Sequence, residues 1–255
     1  MDRVRLQVSL TILLLVTIGG VVNGQVNGQN QSAAQVYNDK ALLAITDGKY
    51  STAVSLLKDA IHLEPNYSVG YYNLGSAYLL LGEYENARTA LEKAVELRSS
   101  YSEALNQLGV VYTQTGQYEK AVNAFEKSIS QRPNSANAHY NLGCTLIRTK
   151  AFEPAINALK RSIELNPDNV EARVNLGFAY STTKRYNEAI AQMQAAARLS
   201  PRDTEIQFFL GKLYLQTQNT RSAFAQYEIL KTLDVSVARK LYRGITNGRV
   251  VFASN

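Results

Sequence analysis

Few side chains in this sequence are suited to bond-making chemistry. His62 and His139 are the only histidines, and Cys144 is the only cysteine. A histidine-based acid–base pair or a Cys–His nucleophile would have to come from these three. A tetrahedral zinc site would also need carboxylates that no spacing singles out. No glycine-rich phosphate loop, HExxH, GxSxG or paired Cys-x-x-Cys occurs. One thiol makes no intrachain disulfide. These features predict a chain that is not an enzyme and holds no cofactor and no metal. The chemistry that does recur is that of the carboxamide. Asn73, Gln107, Asn141 and Asn175 stand 34 residues apart, in a column that begins with Asp39 and ends with Phe209. A carboxamide both donates and accepts, so a row of them is able to pair with the backbone of an extended peptide without reading its side chains.

The elements that carry this row are themselves periodic. Gly75, Gly109, Gly143, Gly177 and Gly211 keep the 34-residue spacing, as do Ala53, Ala87, Ala121, Ala155, Ala189 and Ala223. Tyr50, Tyr84, Tyr118, Phe152 and Tyr186 form a third column; Pro65, Pro133, Pro167 and Pro201, with Ser99 in the missing slot, form a fourth. Four columns in one frame define an internal repeat. Asn73-Leu74-Gly75-Ser76-Ala77-Tyr78 followed by Gly82-Glu83-Tyr84-Glu85-Asn86-Ala87 closely resembles the tetratricopeptide repeat pattern. The resemblance covers residues 34–237 as six units, 34–67, 68–101, 102–135, 136–169, 170–203 and 204–237. It implies an all-α fold, a right-handed superhelical solenoid of six tetratricopeptide helix pairs with a C-terminal capping helix.

Each column has a physical reason. The Gly75 column lies where the two helices of a unit cross, and the Ala53 column supplies the small facing surface. Gly48, Gly82 and Gly116 sit at the turn between helices, where positive φ suits glycine; Lys150, Lys184 and Gln218 take that place later. The prolines end each second helix, and Pro154 falls in a first turn, where its missing N–H matters little. The last unit is degenerate, with Thr220, Leu230 and Val235 in the Tyr, Ala and Pro columns. Val237, Leu241 and Ile245 then repeat at helical spacing with Arg239, Lys240 and Arg243 between them. This predicts a short amphipathic cap ended by Gly244 and Gly248, within a cap-and-tail segment 238–255.

The resemblance also assigns a concave groove to the first helices of the units. It places Asn73, Gln107, Asn141 and Asn175 at the sixth position, lining that groove. Tyr72 and Tyr140 at the fifth position and Phe178 at the ninth join them as pockets for partner side chains. Phe208 and Phe209 read as core. Cys144 becomes a small half-buried residue, His139 a packing residue and His62 a surface residue. The Tyr50 column reads as packing between helices. The lysine, asparagine and arginine clamp for terminal carboxylates is missing, because its slots hold Asn38, Leu42, Tyr72, Ser76, Glu103 and Gln107.

Composition agrees with a packed helical protein. Hydrophobic residues make up 45%, and glycine with proline number only 20. The net charge of +6 comes without a basic run, which argues against nucleic acid as a partner. The partner is therefore expected to be a protein or peptide. Residues 1–24 stand apart: Arg3 and Arg5 precede the uncharged core Leu10–Ile18, and Val22-Asn23-Gly24 offers small residues for a signal peptidase. A secreted or periplasmic protein follows, with membrane attachment only through this segment if it stays uncleaved. Residues 25–33 read as a flexible linker. N-terminal analysis of secreted protein should begin at Gln25; an intact Met1 in the mature pool would overturn the signal reading.

Overall fold

The computed structural model describes residues 31–252. The expected signal segment, and the linker before residue 31, lie outside them. Among the described residues there are thirteen helices and no strand. The first helices are α1 (Ala33–Thr46), α3 (Ser68–Leu81), α5 (Ser102–Gln114), α7 (Ala136–Arg148), α9 (Val170–Thr182) and α11 (Thr204–Gln216). The second helices are α2 (Tyr50–Leu63), α4 (Tyr84–Leu97), α6 (Tyr118–Gln131), α8 (Phe152–Leu165), α10 (Tyr186–Leu199) and α12 (Thr220–Leu233), and α13 (Val235–Phe252) closes the chain. The described residues divide into two compact units, with the boundary between Asn141 and Leu142. In the first, α3 packs on α4, α1, α2 and α5; in the second, α9 packs on α8 and α10. The helix start falls one residue inside the expected linker: Ser32 caps α1 and closes a capping box with Gln35.

The glycine column is a row of seats for large side chains. A Cβ on Gly75 would lie 2.5 Å from Leu91, one on Gly109 2.7 Å from Phe125, one on Gly143 2.6 Å from Leu159 and one on Gly177 2.9 Å from Met193. Each occupant stands 16 residues after its glycine, on the second helix of the same pair. Leu91, Leu159 and Met193 are fully buried, as is every alanine of the column from Ala53 to Ala223. The turns are equally regular. Gly48, Gly82 and Gly116 have φ of +73°, +74° and +76°, and Lys150, Lys184 and Gln218 hold +61°, +61° and +58°. The left-handed turn is therefore kept where glycine is not, at about 1–2 kcal/mol of local strain per site.

The C-terminal end differs from the sequence expectation. Helix α13 starts at Val235, earlier than expected, with Asp234 accepting from the backbone N–H of Ser236 and Val237. It continues through Gly244 and Gly248 to Phe252, so neither glycine ends it and residues 246–252 are helix rather than tail. Burial overrides local propensity here. Ala238, Leu241 and Ile245 are each 1% exposed, whereas Val237 is only half-buried. A glycine inside a helix costs about 0.5–1 kcal/mol, less than burying one Leu or Ile side chain contributes. Leu241 has a specific task. It fills the Gly211 seat, 2.5 Å from where a Cβ would be. The expected occupant, Tyr227, instead stacks on Tyr242 at 5.1 Å and meets Phe224 at 6.0 Å. Leu241→Ala should lower stability by about 2–4 kcal/mol, as for a buried leucine leaving a cavity. A urea melt unchanged by that substitution would show that α13 does not close the stack.

Candidate functional site

In residues 31–141 the amide row faces the preceding repeat. Asn73 is 7% exposed, and its Nδ2 donates to Asn38 Oδ1 at 2.6 Å. Gln107 Nε2 donates to the Tyr72 hydroxyl at 3.2 Å, and Ser76 Oγ donates to Gln107 Oε1 at 2.8 Å. Asn141 Nδ2 donates to Asn106 Oδ1 at 3.2 Å. The rule is common to all three: the sixth residue of one repeat bonds the fifth residue of the repeat before it, 35 residues earlier. In the second unit Asn175, 5% exposed, donates to Cys144 Sγ at 3.4 Å. The expected backbone grip thus meets a competing use, because buried amides must be paired within the protein. Asn73, Gln107 and Asn175 are buried and bonded, and Asn141 is half-buried.

The aromatic candidates separate. Tyr140 is 8% exposed and belongs to the core, which corrects its assignment as a partner pocket. Tyr72 is half-buried, with its ring centroid 5.0 Å from that of Tyr101. Burial, then the nearby Glu103 charge, pushes its hydroxyl up to about 12, so it stays neutral. Burial also raises the Tyr101 hydroxyl, with the Arg98 guanidinium 4.8 Å above its ring. In the second unit Phe178 is half-buried and meets Phe152 edge-on at 6.5 Å. Phe208 and Phe209 were expected in the core; both are half-exposed, with Lys212 5.9 Å from the Phe208 ring. The Tyr50 column is also only half-buried, and Tyr84 is 36% exposed.

The groups first considered for catalysis are scattered. Cys144 is buried, His62 is exposed on α2, and His139 bonds the Pro133 carbonyl at 3.0 Å. Among the described residues no three His, Cys, Asp or Glu side chains are grouped to hold a metal. No described helix is long and apolar enough to cross a membrane. The inter-repeat bonds were missed in the sequence, although Asn38 with Asn73 and Asn106 with Asn141 show the 35-residue interval.

Comparison with known proteins agrees with this geometry. Tetratricopeptide repeat family models match residues 66–132 and 179–234, and a model of the anaphase-promoting complex, cyclosome, subunit 3 matches residues 114–196. The crystal structure of YrrB, described as a TPR protein with an unusual peptide-binding site, is 25% identical. It covers 73% of this chain and 97% of its own, with a TM-score of 0.65. MamA from Desulfovibrio magneticus RS-1 is 25% identical, covers 66% and 95%, and has a TM-score of 0.61. Pseudomonas aeruginosa PilF shares the fold at 17% identity, covering 82% and 96%, with a TM-score of 0.71. No curated protein sequence matches. The chain is similar to the tetratricopeptide repeat family over those two stretches, and its fold is an all-α helical repeat solenoid.

If the amide pairs join the repeats, Asn73→Ala should leave Asn38 unsatisfied and lower stability by about 1–3 kcal/mol. The double-mutant cycle of Asn38→Ala and Asn73→Ala should show a coupling of about 0.5–1.5 kcal/mol. Additive effects in denaturant melts would remove this role.

Proposed function

We propose that this protein is an extracytoplasmic interaction module that binds a peptide or protein segment along the face of its first helices. The observation that carries the reading is exposure of rings where packing alone would bury them. Phe125, a core ring, is 1% exposed, whereas Tyr72, Phe178, Phe208 and Phe209 stay half-exposed on first helices. Half-exposed rings on rigid helices are the anchors that protein interfaces favour. The YrrB neighbour, described by its peptide-binding site, supports a binding role for this fold. The buried amides hold the repeats in register, and the rings supply contact area. The extracytoplasmic setting rests on the layout of residues 1–24.

A second reading is a structural subunit of an envelope or secretion assembly that docks through its ends. Leu43 near the N-terminal end is 67% exposed, and Val235 and Tyr242 near the C-terminal end are 54% and 42% exposed. The two readings separate experimentally. For a segment recovered by affinity capture, Tyr72→Ala and Phe178→Ala should each weaken binding by about 1–3 kcal/mol. The protein should remain monomeric on a sizing column. Full affinity in both variants, with assembly lost on Leu43→Ser or Val235→Ser, would favour the scaffold.

A further inference from the structure

In residues 31–141, tyrosine rings and carboxylates meet around the start of α3. Tyr72 is half-buried against Tyr101. Tyr67, which leads into α3, is also half-buried. Burial raises its hydroxyl first, followed by the charges of Asp39 on α1 and of Glu64. Glu103 on α5 acts in the same sense on Tyr72 and Tyr101, and is itself paired with Arg132 at 2.5 Å. Asp39 and Glu64 are exposed and take only long bonds from neutral groups. Gln31 and Asn38 reach Asp39 at 3.4 Å, and Ser32 reaches Glu64 at 3.5 Å. Among the described residues neither carboxylate forms an ion pair with a lysine or arginine.

The rings here already take cations. Arg98 lies 4.8 Å from the centre of Tyr101, and Lys40 lies 5.6 Å from that of Tyr37. The charge of this unit opposes that of the whole protein. Residues 31–141 carry nine basic and eleven acidic side chains, a net −2 in a protein of +6. Electron-rich rings beside carboxylates that lack a counter-ion favour a cation, and the apolar stem of a lysine or arginine covers ring surface as it docks.

We propose that this face seats a lysine or arginine side chain of an extended partner segment on Tyr67 and Tyr72, met by the carboxylates of Asp39 and Glu64. The inference rests on the groove-binding reading and names the chemistry of its partner: a basic peptide. The carboxylates supply selectivity and salt sensitivity, and the rings supply contact area.

Fluorescence anisotropy on the full chain tests it, with short labelled peptides in which alanine alternates with lysine, glutamine or glutamate. The lysine peptide should bind about tenfold tighter than the glutamine peptide at about 0.1 M salt, with the gap closing as salt rises. Asp39→Asn with Glu64→Gln should bring the lysine peptide down to the level of the glutamine peptide, without loss of helicity by circular dichroism. Tyr67→Leu should weaken the lysine peptide about fivefold, and Tyr67→Phe should restore it. Equal binding of all three peptides overturns the basic preference and leaves groove binding standing. A lysine preference that survives the double variant overturns this location. Competition by free lysine amide at matched cation concentration would make the ligand a small cation, which also overturns the proposal. If none of the peptides binds, the groove-binding reading fails, and this inference with it.

Discussion

The stack depends on one steric arrangement: a large side chain from the second helix lying where the first helix has none. Gly75 faces Leu91, Gly109 faces Phe125, Gly143 faces Leu159 and Gly177 faces Met193, each too closely for a Cβ. This contact draws the two helices of a pair together. It also explains why the neighbouring alanine column is fully buried, since only a small residue fits beside the seat. A single helix pair has too little apolar surface to stand alone, so each pair relies on the next. The last seat shows how strict the requirement is. Its glycine, Gly211, is filled by Leu241 of α13 because Tyr227 has turned to Tyr242. The final helix is therefore an integral part of the sixth pair.

Apolar seats are non-directional and fix the spacing of helices better than their register. The amide bonds add direction. Asn73 to Asn38, Gln107 to Tyr72 and Asn141 to Asn106 join α3, α5 and α7 each to the first helix before it with a constant offset. A slip along the helix axis would leave buried amides without partners, a penalty of about 1–3 kcal/mol at each site. Carboxamides at this position thus have a use in joining repeats that requires no ligand.

The parts of the fold legible in the sequence were those where geometry permits few residue types and recurs in every unit. The glycine seats, the alanines and the turns meet that condition. The turn position was legible even at Lys150, Lys184 and Gln218, because 34-residue spacing carried the left-handed conformation past the change of residue. Where two forces compete, the column was a poorer guide. Gly244 and Gly248 read as stops by propensity, yet burial of Leu241 and Ile245 carries the helix through Gly244. Tyr72 and Tyr140 share a column, but one is half-exposed and the other is 8% exposed, which depends on neighbours contributed by other elements. Phe208 and Phe209 read as core by hydrophobicity alone and lie half-exposed. The columns of the first helices were thus legible, and which of their residues are buried and bonded within the protein was not.

Tyr72 belongs to the repeat interface and, under the proposed function, also to the binding face. Its hydroxyl accepts from Gln107 of the next repeat, its ring lies against Tyr101, and the residue as a whole is half-buried. Two constraints on one side chain leave little rotamer freedom to lose when a partner arrives. An immobilised side chain otherwise costs about 0.5–1.5 kcal/mol on binding. The hydroxyl, pushed up to about 12, remains a neutral acceptor for Gln107 throughout the physiological range. If Tyr72 contacts a partner as proposed, a substitution at Gln107 would act on binding by releasing that ring. On that reading, the bond from Gln107 that joins two repeats also sets the stiffness of the proposed contact surface.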